Sequence, residues 1–227
     1  MFGFYRHKGK KDFSNAIFIV ISVFLLYQII TSFFLKSYII KQTSMMPEFK
    51  NGQRILGTPL YSASSFKRGS LVFVRQSEKE YNFLQKSLNA VASFLTLNIY
   101  TPFDSNSSIS TKHLLRRIVA LPGDTIYMKN FILYIKPQGS LHFLTEFELA
   151  ECDYNITTEG LCSAWSEELP FSGSMEEVKL KDDEYFTLCD NRLSSLDSRL
   201  IGKINGKDAI KQKVVFRYWP LNKIKIF

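Results

Sequence analysis

The chain has 227 residues, enough for one moderately large domain or two small ones, and its 45% hydrophobic and 22% charged residues suit a folded protein with a sizeable core. The net charge of +8 invites a nucleic-acid reading. The basic residues are scattered, however, and the densest cluster lies at the extreme N-terminus beside an apolar run, which membrane topology explains better. No nucleic-acid partner is expected. No CxxC pair or histidine cluster occurs at ligand spacing, so no metal is expected either.

Residues 1–14 carry Arg6, Lys8, Lys10 and Lys11 against one acid, Asp12. Asn15 to Leu35 then run without a charge for about 21 residues, which as a helix cover roughly 30 Å, the thickness of the hydrocarbon core. A cleavable signal peptide has an apolar region of only about 7–15 residues and ends in a small-residue site. This run ends in Phe33-Phe34-Leu35-Lys36. The expectation is a retained transmembrane helix over 15–35, a cytoplasmic basic tail over 1–14 and a domain over 36–227 on the outer face. No later segment is long and apolar enough to span, so the chain reads as single-pass.

Beyond the apolar run, strand and turn signals alternate at short intervals. Ser37 to Ile40, Arg54 to Leu56 and Leu71 to Val74 read as strands, with Pro47 and Asn51-Gly52 as turns. Residues 77–112 interrupt the pattern as a helical insertion. Ser77 with Glu80 forms a potential capping box, and Leu84, Leu88, Val91 and Leu95 recur at helical spacing. That stripe is expected to pack against the body of the domain; the rival reading lays it in the membrane surface near the anchor. Strand character returns at Leu114 to Val119. Thr125 to Met128 and Phe131 to Ile135 form a hairpin around Lys129-Asn130, followed by strands at Tyr185 to Leu188 and Val214 to Trp219. The fold class is mainly β. Cys152 and Cys162 lie close together in a polar stretch, where a disulfide and free thiols are both open readings.

Three blocks carry chemistry. They are Gln42-Thr43-Ser44-Met45-Met46-Pro47, Arg116-Arg117-Ile118-Val119-Ala120-Leu121-Pro122-Gly123-Asp124, and Cys189-Asp190-Asn191-Arg192-Leu193-Ser194-Ser195-Leu196-Asp197-Ser198-Arg199. The first alone reads as a turn with two core methionines. Together, in this order and after an N-terminal anchor, the three resemble the type I signal peptidases, membrane-bound serine proteases that remove leader peptides. The resemblance covers nearly the whole chain beyond residue 36. Departures are few: Glu48-Phe49 follow Pro47 where the family has Thr-Leu, Gln53 and Ser70 replace acids, and Cys189 replaces a glycine.

The resemblance implies an antiparallel β peptidase domain in which Ser44 is the nucleophile. A serine needs a group that removes its proton and donors that hold the developing oxyanion. The family uses a lysine as that base, and counting back from Leu121-Pro122-Gly123-Asp124 its position holds Arg116. A buried lysine loses its proton near neutral pH, whereas a guanidinium with a pKa above about 12 does not. Arg116 is therefore expected to hold Ser44 as a donor without activating it. Lys112 shares a strand face with Arg116 but lies roughly 13 Å away along the strand, and His113 belongs to the opposite face. His142 has no placement from the sequence.

The supporting roles follow the same resemblance. Ser195 matches the serine that bonds the lysine, Asp197 and Arg199 an ion pair beside it, and Asp190 the partner of Arg117. The Ser44 N–H would supply half of the oxyanion hole and Gln42 the other half. Tyr38, Ile40, Met45, Phe49, Ile55, Leu114 and Leu115 would line the substrate pocket, all apolar or aromatic as small leader residues require. The implied setting is the bacterial cytoplasmic (inner) membrane, with the N-terminus inside. The implied partners are preprotein leader peptides, the lipid bilayer and the secretion machinery, and no cofactor is expected. Two functions follow: an active signal peptidase, or an impaired homologue that binds leader peptides without cutting them. A membrane-anchored β adaptor unrelated to proteolysis is a third, more distant reading.

Overall fold

The computed structural model describes residues 5–75, 82–96, 102–103, 113–158, 173–193 and 197–227. Its first element, α1 (Tyr5–Phe33), is a helix without internal proline whose stretch Phe13–Thr31 is long and apolar enough to cross a membrane. It leads within three residues into strand β1 (Lys36–Ile39). Then come β2 (Arg54–Thr58), β3 (Leu71–Arg75), helix α2 (Phe83–Leu95) and β4 (His113–Ala120). A hairpin of β5 (Thr125–Lys129) and β6 (Ile132–Lys136) is followed by β7 (Leu144–Thr145) and α3 (Glu146–Leu149). The chain closes with β8 (Met175–Lys179), β9 (Glu184–Leu188), α4 (Ser198–Ile201), β10 (Ile204–Asn205), α5 (Gly206–Ala209), β11 (Ile210–Trp219) and β12 (Lys225–Ile226).

Among the described residues the strands form two antiparallel sheets. The larger runs β1-β2-β11-β3-β4-β9-β10, with β12 on β11, and the smaller runs β7-β6-β5-β8. Sequence pattern explains which strand lies where. β5 and β6 alternate half-exposed and buried positions, the mark of a sheet with one covered face. In β3 the run Leu71-Val72-Phe73-Val74 is buried on both faces, as befits a central strand between β11 and β4.

The mainly β expectation therefore holds, and all eight anticipated strands are present. The hairpin turn falls one residue later than anticipated, on Asn130 and Phe131, with φ of 52° and 64°. A phenylalanine in the left-handed region is uncommon. Here its N–H donates to Gly173 O at 2.9 Å and its carbonyl accepts from Arg192 Nη1 at 3.1 Å, so tertiary bonds hold it there.

The insertion contains the anticipated helix, but its stripe does not pack on the domain. No residue of α2 is buried, and Leu84 and Leu95 are 69% and 73% exposed. The reason is that α2 contacts α1 instead, through Phe94 against Phe24 and Tyr27. The anticipated cap, Ser77 with Glu80, lies outside the described residues, and Gln85 Oε1 accepts the Asn82 N–H at 3.1 Å. Cys152 is a free thiol, and Cys162 lies outside the described residues.

Candidate active site

Strand β4 builds the centre of the site. Its residues alternate between faces, so neighbours Arg116 and Arg117 are sent in opposite directions. Arg116 stands opposite Val72 on β3, and Arg117 stands between Leu71 on β3 and Leu188 on β9. Both side chains are buried, at 1% and 2% exposure, so each charge requires internal partners.

Arg117 obtains its partners from the third block. Its Nε and Nη2 donate to the two oxygens of Asp190 at 2.7 and 2.6 Å, and its Nη1 donates to Gly69 O at 2.8 Å. The Tyr154 ring lies 4.2 Å from the guanidinium. Burial opposes the charge on Arg117, but Asp190 outweighs it and holds the guanidinium firmly protonated.

Arg116 faces the first block. Its Nη1 donates to Ser44 Oγ at 3.2 Å and also to Leu115 O. Burial lowers the Arg116 pKa from its ordinary value, with Cys189 and Asp197 opposing that shift. A guanidinium that begins above about 12 still functions as a donor at neutral pH.

Ser44 is nearly buried, at 8% exposure, in the turn after β1. Its hydroxyl donates to Gln42 Oε1 at 3.5 Å, a long bond, and accepts from Arg116. Among the described residues it has no carboxylate, imidazole or amine partner, and its N–H has no acceptor. Gln42 turns its carbonyl oxygen toward the serine, and a donor role requires rotation of the amide. The Ser44 carbonyl accepts from Asn191 N–H at 3.0 Å, which ties the serine turn to the third block.

Asp197 and Arg199 form a buried pair. Arg199 Nε and Nη2 donate to Asp197 at 2.9 and 2.8 Å, and Cys189 N–H donates to the same carboxylate at 3.1 Å. Burial alone would raise the Asp197 pKa, but the bonds from Arg199 win and hold it below the ordinary range. Ser195 lies outside the described residues. So does Lys112, while His142 is exposed in the loop between β6 and β7.

Beside Ser44 runs a cleft lined by Tyr38, Ile40, Gln42, Met45, Phe73 and Leu115. Phe49 and Ile55 belong to the apolar cluster beneath it, with Leu71 and Val214. Leu114 is buried but lines neither the cleft nor that cluster, because it alternates away from Leu115. Phe73 was not anticipated. It stacks on Tyr38 at 4.1 Å between centroids, and its signal was its register opposite Leu115. Also unanticipated is Glu146, a buried carboxylate that accepts from Arg192 and Tyr154.

The profile of the family described as signal peptidase, peptidase S26, matches residues 12–219. The chain belongs to that family. It is similar to signal peptidase I P of Bacillus subtilis subsp. natto, with 27% identity over 98% of both chains. Signal peptidase I of Bacillus licheniformis is 27% identical over 94% of this chain and 91% of its own. Signal peptidase IB of Staphylococcus aureus is 25% identical over 95% of this chain and 94% of its own. Membership makes this a peptidase scaffold, and the blocks around Ser44, Arg116 and Asp190 lie within the matched stretch.

Proposed function

We propose that the chain is a membrane-anchored serine endopeptidase of the signal peptidase I type, which takes the leader segment of exported preproteins. The observation that carries this reading is Ser44, which stands at the wall of an apolar cleft and is bonded to the side chain at the family's base position. An extended leader would lie along the cleft with small residues against Met45 and Leu115; Ser44 Oγ would add to the carbonyl that follows, its proton passing through water to the departing amine as the peptide C–N bond breaks, and a second water would release the acyl group. Ser44 N–H, free of any described acceptor, would hold the oxyanion, with Gln42 beside it after its amide turns. Asp190 with Arg117 and Asp197 with Arg199 keep the two loops in place. α1 would hold the domain on the outer face of the cytoplasmic membrane, where preproteins arrive from the secretion machinery.

One observation favours a second reading, a homologue that binds leaders without cutting them. Arg116 donates to Ser44 Oγ where catalysis needs an acceptor for the serine proton. The deciding experiment is cleavage of a reporter preprotein by full-length protein, run beside Ser44→Ala and Arg116→Lys. Cleavage by the unsubstituted protein and not by Ser44→Ala establishes the peptidase. Cleavage by Arg116→Lys alone, with leader peptide bound by the unsubstituted protein, establishes the binding homologue. Cleavage by none, with no binding of leader peptide, overturns both.

A further inference from the structure

Helix α2 touches α1 inside the membrane-crossing stretch. Tyr27 Oη donates to Ser93 O and Gln28 Nε2 donates to Ala90 O, both at 3.3 Å. The Phe94 ring meets Phe24 and Tyr27 edge-on at 5.1 and 5.2 Å. All three α1 residues belong to Phe13–Thr31. At 1.5 Å per residue, Gln28 and Phe24 lie roughly 5 and 10 Å inside the end of that stretch nearest the domain. An element in contact there lies just inside the boundary between headgroups and acyl chains.

The free face of α2 suits that depth. At 100° per residue, Leu84, Leu88, Val91 and Leu95 fall within about 60° of arc, and they are 69%, 47%, 45% and 73% exposed. Lys86 and Ser93 take the opposite side, and Gln85 and Asn89 flank the stripe at about 90° and 130°, where Asn89 Oδ1 accepts the Phe103 N–H at 3.2 Å. Lys86 is the helix's one charged residue. A stripe of four aliphatic side chains that no described residue covers, beside a helix apolar enough to cross a membrane, calls for an apolar cover.

We infer that α2 is an interfacial membrane helix, which beds its Leu84-Leu88-Val91-Leu95 stripe in the bilayer alongside α1. The inference rests on reading α1 as the membrane anchor. Lipid is favoured over a second copy of the chain, because a short stripe supplies far less than the roughly 800 Å² per partner of a stable interface. Interfacial helices bury their apolar face about 5–10 Å deep, the depth at which α1 and α2 meet. A single helix leaves a domain free to swivel about its axis. A second lipid contact stops the swivel, and β1, which follows α1 directly and lines the cleft through Tyr38, then keeps one bearing to the membrane.

The test uses full-length protein in phosphatidylcholine–phosphatidylglycerol vesicles whose acyl chains carry bromine. Leu88→Trp and Val23→Trp place reporters on the stripe and at the middle of the α1 span, each read as a difference from the unsubstituted protein. The expected result is loss of emission from both, with Leu88→Trp quenched most by bromine near the headgroup and Val23→Trp by bromine deep in the chain. Quenching of Val23→Trp without Leu88→Trp overturns the inference and leaves the anchor intact. Absence of quenching at Val23→Trp overturns the anchor and the inference with it. A Leu88→Trp reporter reached by bromine only on diluting protein in lipid makes a second copy the occupant, and overturns it too.

Discussion

Arg116 Nη1 donates a hydrogen bond to Ser44 Oγ at 3.2 Å, across 72 residues of sequence. The direction of that bond governs the chemistry: the serine is positioned by a group that gives protons and does not take them. Replacing Arg116 with lysine puts an amine in the same desolvated place, where burial favours the neutral, accepting form. Arg116→Lys is therefore expected to raise cleavage of a reporter preprotein by roughly 10²–10⁴-fold over the unsubstituted chain. Loss of the gain in Arg116→Lys/Ser44→Ala checks that it runs through the serine.

The Arg117–Asp190 pair should govern stability. Both side chains are at most 2% exposed, so removing one leaves an uncompensated charge in the interior. Asp190→Ala is expected to cost about 3–5 kcal/mol in denaturant unfolding. The exposed pair Lys67–Glu151 serves as the control, and Glu151→Ala should cost about 0–1 kcal/mol.

Acid should weaken the site through Asp197. Its carboxyl titrates below the ordinary value because Arg199 binds the ionised form. A depressed carboxylate adds stability that is complete above the unfolded-state value, near 3.9, and is lost as pH falls through the folded-state value. Thermal unfolding of the parent and Asp197→Asn should differ most at neutral pH and converge below about pH 3.9. A gap that widens on acidification contradicts the assignment.

Phe73 fills the cleft wall between Tyr38 and Leu115. Phe73→Ala is expected to cost about 3–5 kcal/mol of stability and to enlarge the cleft. Leader peptides with leucine in place of alanine before the junction should then bind better relative to the alanine peptide, measured by competition.

Much of this arrangement was legible in the residues, for identifiable reasons. β5 and β6 carry clean two-residue alternation, and the strand character of β3 and β4 follows from β-branched and aliphatic runs. β8, with Met-Glu-Glu-Val-Lys, escaped notice because two adjacent acids mask the pattern of an exposed edge. The 3.6-residue spacing of Leu84 to Leu95 located α2 correctly but could not say what covers the stripe, since protein and lipid demand the same periodicity. The pairing of Arg117 with Asp190 followed from the family resemblance, and spacing alone would not have joined residues so far apart. Leu114 and Leu115 are equally apolar in the sequence, but as neighbours on β4 they face opposite ways and of the two only Leu115 lines the cleft.

Strand β11 joins distant parts of the chain beneath the cleft. This strand, residues 210–219, is near the end of the chain yet lies inside the larger sheet, hydrogen-bonded to β2 on one side and β3 on the other. Its Val214 belongs to the apolar cluster beneath the cleft, and Asn191 holds the carbonyl of Ser44. Until β11 docks, β2 and β3 have no strand between them and the apolar cluster beneath the cleft lacks Val214. The Ser44 turn and the strand that completes the sheet beneath it are therefore far apart in sequence, and the cleft is whole only when both are in place.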